Sequence, residues 1–158
     1  MTPCYCMKGR GGVSFFGFLI KMVYLNYNLI FVKIFKEDIM EKQVLIIIND
    51  APYGTEKAYN GLRLANQLLK DNTDLELVVF LMADAATCAI PGQKTPNGFY
   101  NIERMLKALV MKSGRIKVCT SCAEARGIHD IQLVEGAELS TMSELAKLTV
   151  NSDRVITF

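Results

Sequence analysis

The chain has no surplus of charge of one sign, no even set of cysteines, a single histidine and no unbroken apolar run long enough for a membrane, and each shortage excludes a class of function. The 18 basic and 16 acidic residues leave a net charge of only +2, scattered along the chain, so a nucleic-acid footprint is missing and no direct nucleic-acid binding is expected. The five cysteines, Cys4, Cys6, Cys88, Cys119 and Cys122, are odd in number and unevenly spaced, which is no secreted disulfide framework. They point to a reducing, cytoplasmic setting in which thiol reactivity serves function. His129 with Cys88, Cys119 and Cys122 does not make a standard zinc spacing. No metal and no cofactor is expected, and His129 reads as a loop residue. A membrane span needs roughly 18 or more apolar residues in a row, whereas Lys21, Asn26, Asn28 and Lys33 interrupt Val13 to Phe35. Lys8 and Arg10 followed by Val13 to Ile20 resemble a signal peptide, but no small-x-small cleavage site follows.

What the chain does have is 158 residues, enough for one domain with a proper core. Residues 1–39 differ in kind: rich in Phe, Ile, Tyr, Asn and Lys, they carry no regular polar–apolar period. Their favoured residues are those of A/T-rich codons, and Lys36-Glu37-Asp38 can be encoded by a ribosome-binding sequence just ahead of Met40. The expectation is that residues 1–39 are an N-terminal extension outside the native coding sequence, with the domain spanning 40–158. A membrane or interaction arm is the alternative. Five of the basic and two of the acidic residues fall before Met40, leaving 13 against 14, a nearly neutral domain.

From Met40 the pattern alternates. Val44 to Ile48 is a β-branched run of the kind buried on both faces of a parallel sheet. Ala58, Leu62, Ala65, Leu68 and Leu69 recur at helical spacing over Glu56 to Lys70, and Leu75 to Met82 is a second buried strand. Ile102, Met105, Leu106, Leu109 and Val110 form an amphipathic stripe behind Asn101 as N-cap. Arg115 to Cys119 is the next strand and Ala137 to Leu139 a short one. Thr141-x-x-Glu144 reads as a capping box opening a helix through Val150, and Val155 to Phe158 is a last strand. Strands alternating with helices predict an α/β fold, a three-layer α/β/α sandwich with a mainly parallel sheet of about five strands.

Open parallel sheets bind ligands beyond the carboxyl ends of their strands. Those ends carry Asn49, Asp50, Tyr53 and Gly54, then Asp84, then Cys119, so three loops should converge on one thiol. Cys119 ends a strand where a helix begins, beside unpaired N–H groups that favour the thiolate. It is expected to be the more acidic and more open thiol. Cys122, one turn into the helix, is expected to be shielded; it either resolves a disulfide or persulfide on Cys119 or merely packs. Arg126 shares its helical face and either faces an anionic sulfur or is a surface side chain. The Asp50 to Glu56 loop offers free N–H groups to an anion but lacks a P-loop pattern. Pro91 to Tyr100 is a longer loop, either a lid, a subunit contact or a plain surface excursion.

Asn-Asp-Ala-Pro-Tyr-Gly-Thr-Glu at 49–56, Phe-Leu-Met-Ala-Asp-Ala at 80–85, Pro-Gly-Gln-Lys at 91–94 and Cys-Thr-Ser-Cys-Ala-Glu-Ala-Arg-Gly-Ile at 119–128 together resemble the DsrE/DsrF family, and within it the YchN-like branch. The resemblance covers Met40 to Phe158. It implies the same sandwich assembled as a homo-oligomer, hexamer or trimer, and a sulfur relay in which a cysteine carries a persulfide between sulfur donor and acceptor proteins. In such members the reactive cysteine stands seven residues before an Arg-Gly. That spacing selects Cys119, ahead of Arg126-Gly127. Cys122 departs from the simplest relay pattern and keeps two other readings open: a thiol–disulfide redox protein using Cys119 and Cys122, and a non-catalytic binding or regulatory module. The thioredoxin-type aromatic and proline neighbours are missing.

Overall fold

Alternation of apolar side chains with a period of two sends neighbouring strand residues to opposite faces, and both faces of the central strands here are apolar. The computed structural model describes residues 42–158, so the boundary at Met40, Cys4, Cys6 and the reading of residues 1–39 lie outside the described residues. In chain order the elements are β1 (Lys42–Ile48), α1 (Lys57–Asp71), β2 (Leu75–Leu81), a 3-10 helix (Ala83–Ala89), α2 (Ile102–Val110), β3 (Arg115–Cys119), α3 (Thr120–Glu124), β4 (Ala137–Ser140), α4 (Met142–Asn151) and β5 (Arg154–Thr157). The sheet runs β4-β3-β2-β1-β5, and each neighbouring pair is parallel.

The strand order determines which helix covers which face. From β1 to β2 to β3 the chain steps in one direction, so right-handed crossovers put α1 and α2 on the same face. From β4 it returns across the sheet to the far edge at β5, which sends α4 to the other face. Packing follows that rule. Ile46, Ile48, Val79, Leu81, Ile116 and Val118 pack with Leu62, Leu106 and Leu109 from α1 and α2. Leu45, Val78, Phe80 and Cys119 pack with Leu145 of α4. Each fully buried side chain of this size contributes about 1.5–3 kcal/mol. The face bearing Cys119 therefore has the smaller core.

The α/β sandwich is the one expected, and the elements agree to within a residue or two. Asn101 caps α2 by accepting from the Arg104 N–H at 2.9 Å. Only half of the capping box at α4 forms. Thr141 Oγ1 accepts from the Glu144 N–H at 3.3 Å, but the Glu144 carboxylate turns outward to Ser140 Oγ at 2.8 Å and Lys117 Nζ at 3.2 Å. Lys117 is a mostly covered cation, so the carboxylate gains more from it than from a backbone N–H. The 3-10 helix was not expected. Its small side chains, with Ala85, Ala86, Cys88 and Ala89 buried, let the chain wind tightly where a loop had been read. The loop after it is tied down by Gln93, whose Nε2 donates to the Cys88 and Ile90 carbonyls, both at 2.9 Å.

Gly114 tests the packing between α1, α2 and β3. A Cβ there would lie 2.3 Å from Leu109 Cδ2 and 2.8 Å from Leu69 Cδ1, inside a core that cannot yield at both points. Gly114→Ala should lower the free energy of unfolding by about 1–3 kcal/mol, as overpacking typically does. An unchanged urea midpoint would contradict this packing.

Candidate functional site

Parallel strands bring their carboxyl ends to one edge, and the loops after β1, β2 and β3 meet there. The Met82 N–H donates to the Ile48 carbonyl at 3.0 Å and the Ala85 N–H to the Asn49 carbonyl at 3.1 Å, binding the second loop to the first. Asn49 also donates, from Nδ2, to the Phe158 carbonyl at 3.2 Å. Thr120 Oγ1 donates to the Ser140 carbonyl at 2.9 Å and fixes the turn out of β3. The scaffold around Cys119 is thus held on three sides.

Cys119 is the last residue of β3 and only 2% exposed. Burial pushes its thiol up, but four donors outweigh that: the Cys122 thiol, the Ser121 hydroxyl and the N–H groups of Cys122 and Ser121. Its Sγ lies 3.3 Å from Ser121 Oγ. The net result is a thiol held below its ordinary range. α3 has only five residues, so these local donors act in place of a long helix dipole.

Cys122 behaves in the opposite way. Burial raises its thiol, and so does the neighbouring Cys119 sulfur, while the Ala83 N–H opposes both by donating to Cys122 Sγ at 3.1 Å. The two thiols are thus shifted in opposite directions, Cys119 down and Cys122 up. The expected order of acidity holds, and the expected order of exposure is reversed. Cys122 is half-buried and Cys119 buried, because β3 points Cys119 beneath α4 while α3 carries Cys122 toward the edge. Cys88, the third described thiol, is fully buried and pushed up to about 12. It donates toward the Asp50 carbonyl at 3.9 Å and takes no part in this chemistry.

Arg126 does not reach a sulfur. Its Nε and Nη2 donate to Asp84 Oδ1 at 3.1 and 2.6 Å, and its Nη1 to the Cys122 carbonyl at 3.1 Å. It ties the loop after β2 to the helix after β3. The pair is exposed enough to add little stability by itself, yet it holds Ala83 against Cys122. Ala83 has φ +49°, a left-handed conformation that costs a residue with a Cβ about 1–2 kcal/mol. Strain of that size sits where the backbone must aim an N–H at sulfur. Gly127, at φ +66°, ends α3 in a left-handed turn, with the Ile128 N–H returning to the Ala123 carbonyl at 3.0 Å.

The predicted set divides. Asp84 and Arg126 pair with each other beside Cys122 without bonding to a sulfur, and Asn49 holds the loop after β2 through the Ala85 backbone. Asp50 instead accepts from Thr55 Oγ1 at 2.8 Å and Lys57 Nζ at 3.4 Å, closing its own loop. Tyr53 donates to Gln93 Oε1 at 2.7 Å, and Gly54 turns that loop at φ +113° in open space. None of these three hydrogen-bonds either thiol. His129 pairs with its neighbour Asp130 at 2.9 Å, on a turn as expected. The sequence reading missed Ser121 and Ala83. Ser121 stood in view between the cysteines, but Ala83 acts through its backbone and leaves no side-chain signal. Among the described residues, no three His, Cys, Asp or Glu side chains are grouped to hold a metal ion, and no helix is long and apolar enough to cross a membrane.

Comparison with known proteins places this geometry in context. The sequence pattern of the DsrE/DsrF-like family matches residues 42–158. Protein YchN of Escherichia coli K12 is 42% identical over 117 residues, which span 74% of this chain and 99% of YchN. The crystal structure of that protein superposes with a TM-score of 0.72 over 74% of this chain and 99% of its own. Sulfurtransferase TusD of Salmonella newport is 24% identical over 124 residues, 72% of this chain and 97% of TusD.

Removing a donor from a thiolate disfavours its charged form. Ser121→Ala and Cys122→Ala should each raise the pH at which Cys119 becomes reactive toward iodoacetamide, followed peptide by peptide in the folded protein. Cys88 should stay unlabelled until the chain unfolds. If neither substitution moves the Cys119 profile, the donors do not set its acidity.

Proposed function

Because the chain belongs to the DsrE/DsrF-like family, we propose that Cys119 is a sulfur carrier that accepts sulfane sulfur as a thiolate and holds it as a persulfide. The observation that carries this reading is the asymmetry of the pair: one thiol set below its ordinary range by local donors, its neighbour set above. The thiolate is the nucleophilic form. It attacks the outer sulfur of a donor persulfide, R–S–SH; the donor S–S bond breaks, R–S⁻ leaves, and Cys119–S–SH remains. The hydrogen bonds that hold the thiolate also suit the anionic persulfide.

Two exits follow. A thiolate on an acceptor protein takes the outer sulfur and frees Cys119 as a thiolate. Alternatively Cys122, once deprotonated, attacks the inner sulfur; HS⁻ leaves and a Cys119–Cys122 disulfide forms, which an external dithiol must reduce. The half-exposure of Cys122 makes it the sulfur of that disulfide open to the reducing dithiol. TusD, named a sulfurtransferase, is a distant relative that supports the relay. The reading includes donor and acceptor proteins, a homo-oligomer as hexamer or trimer, and a cytoplasmic setting. Exposed Met142 and Val150 on α4 and Val155 on β5 support assembly by offering apolar surface.

Mass spectrometry after incubation with a sulfane-sulfur donor is the test, with light scattering of the same sample reading its assembly. One added sulfur on the Cys119 peptide is expected, lost in Cys119→Ser and kept in Cys122→Ser, on a closed oligomer. An internal disulfide without added sulfur would replace the relay with dithiol redox chemistry. A monomer would remove the assembly.

A further inference from the structure

On the sheet face opposite Cys119, α1 and α2 run in the same direction and leave a groove of about 440 Å³ between them. That volume is in the range of small-molecule sites. Spacings of three and four residues bring Tyr59, Arg63, Asn66 and Lys70 to one stripe of α1, and Tyr100, Arg104 and Lys112 line the facing side. Four cations thus border one groove, and no carboxylate lines it. Among the described residues none of the four is paired with an acid. The nearby acids are engaged elsewhere, Glu103 with Lys107 at 2.7 Å and Asp71 with the Gln67 amide at 2.7 Å. Four like charges around one concavity repel one another unless an anion joins them.

Two further features make the site more than a basic patch. Tyr59 and Tyr100 stack with ring centroids 4.3 Å apart and give the groove an aromatic wall at one end. Asn66 is fixed by two donations from Nδ2, to the Leu62 and Met105 carbonyls, both at 3.0 Å. That amide ties α1 to α2 and fixes the width of the groove. Anionic charge and a planar group are together the chemistry of a nucleoside phosphate.

We propose that this groove binds a nucleotide: Arg63, Arg104, Lys70 and Lys112 hold its phosphates, and the base lies against the tyrosine wall. Tyr59 and Lys70 are about 16 Å apart along α1 at 1.5 Å per residue, which accommodates a nucleoside with a short phosphate chain. An acidic protein segment would satisfy the cations but would not need the ring wall. The inference is independent of the thiol chemistry, since Cys119 packs on the other face of the sheet.

Calorimetric titration of the full chain with ATP, adenosine and inorganic tripolyphosphate tests it. ATP should bind saturably, about tenfold or more tighter than either fragment, and more weakly as salt is raised. Arg63→Gln and Arg104→Gln, both at exposed side chains, should each weaken ATP about tenfold with thermal unfolding unchanged. Tripolyphosphate binding as tightly as ATP would overturn the nucleotide assignment, as would adenosine doing so. Absence of saturable ATP binding, or ATP affinity unaltered in both arginine variants, would overturn the site.

Discussion

Burying a thiol works against its ionisation, so a cysteine that is almost wholly covered and still acidic requires a surplus of hydrogen-bond donors aimed at one atom. Cys119 has them because β3 stops there. A residue inside the strand would spend the following N–H groups on the sheet ladder. At the strand end, with Thr120 fastened to Ser140, the N–H groups of Ser121 and Cys122 are free of the ladder and help to lower the thiol. The side chains of the same two residues add the remaining donors. The Cys-Thr-Ser-Cys run is thus a single device in which three residues serve the first.

Cys122 completes it by being poor at ionising itself. A proton donor to Cys119 must keep its proton, and burial together with the neighbouring thiolate ensures this. The Ala83 N–H and the Arg126 charge act against that tendency, so Cys122 is poised rather than locked. The Ala83 N–H reaches it from the loop after β2, and Arg126 from the turn that follows α3. The bonds from Arg126 to Asp84 hold that loop in place against the strain at Ala83, which couples the second strand's loop to the reactivity of the third's.

Much of this was legible in the sequence, for physical reasons. β1 and β2 are read directly because burial on both faces demands unbroken β-branched and large apolar runs. The caps of α2 and α4 are read because Asn101 and Thr141 are side chains chosen for that bond. The strand-end position of Cys119 follows from the same patterns, and so does its greater acidity. Exposure did not follow, because whether the face bearing a strand-end side chain is covered depends on the helix returned from β4 across the sheet. The 3-10 helix was illegible, since Ala83 to Ala89 carries neither a helical period nor a cap. Asp50, Tyr53 and Gly54 lie on the correct edge by topology, but the short bond from Tyr53 to Gln93 draws their loop toward α2 and away from sulfur. Arg126 lies on the expected helical face, with the Asp84 carboxylate as its partner instead of an anionic sulfur.

The account's central claim is that the acidity of Cys119 is what makes it the sulfur carrier. The rate at which wild-type protein gains sulfur on the Cys119 peptide, measured against pH, tests this most directly. Since the thiolate reacts, the rate should rise with pH and level off below the ordinary cysteine value of about 8.5. A rate that keeps rising through and beyond that value, or sulfur that accumulates on Cys122 instead, would contradict it.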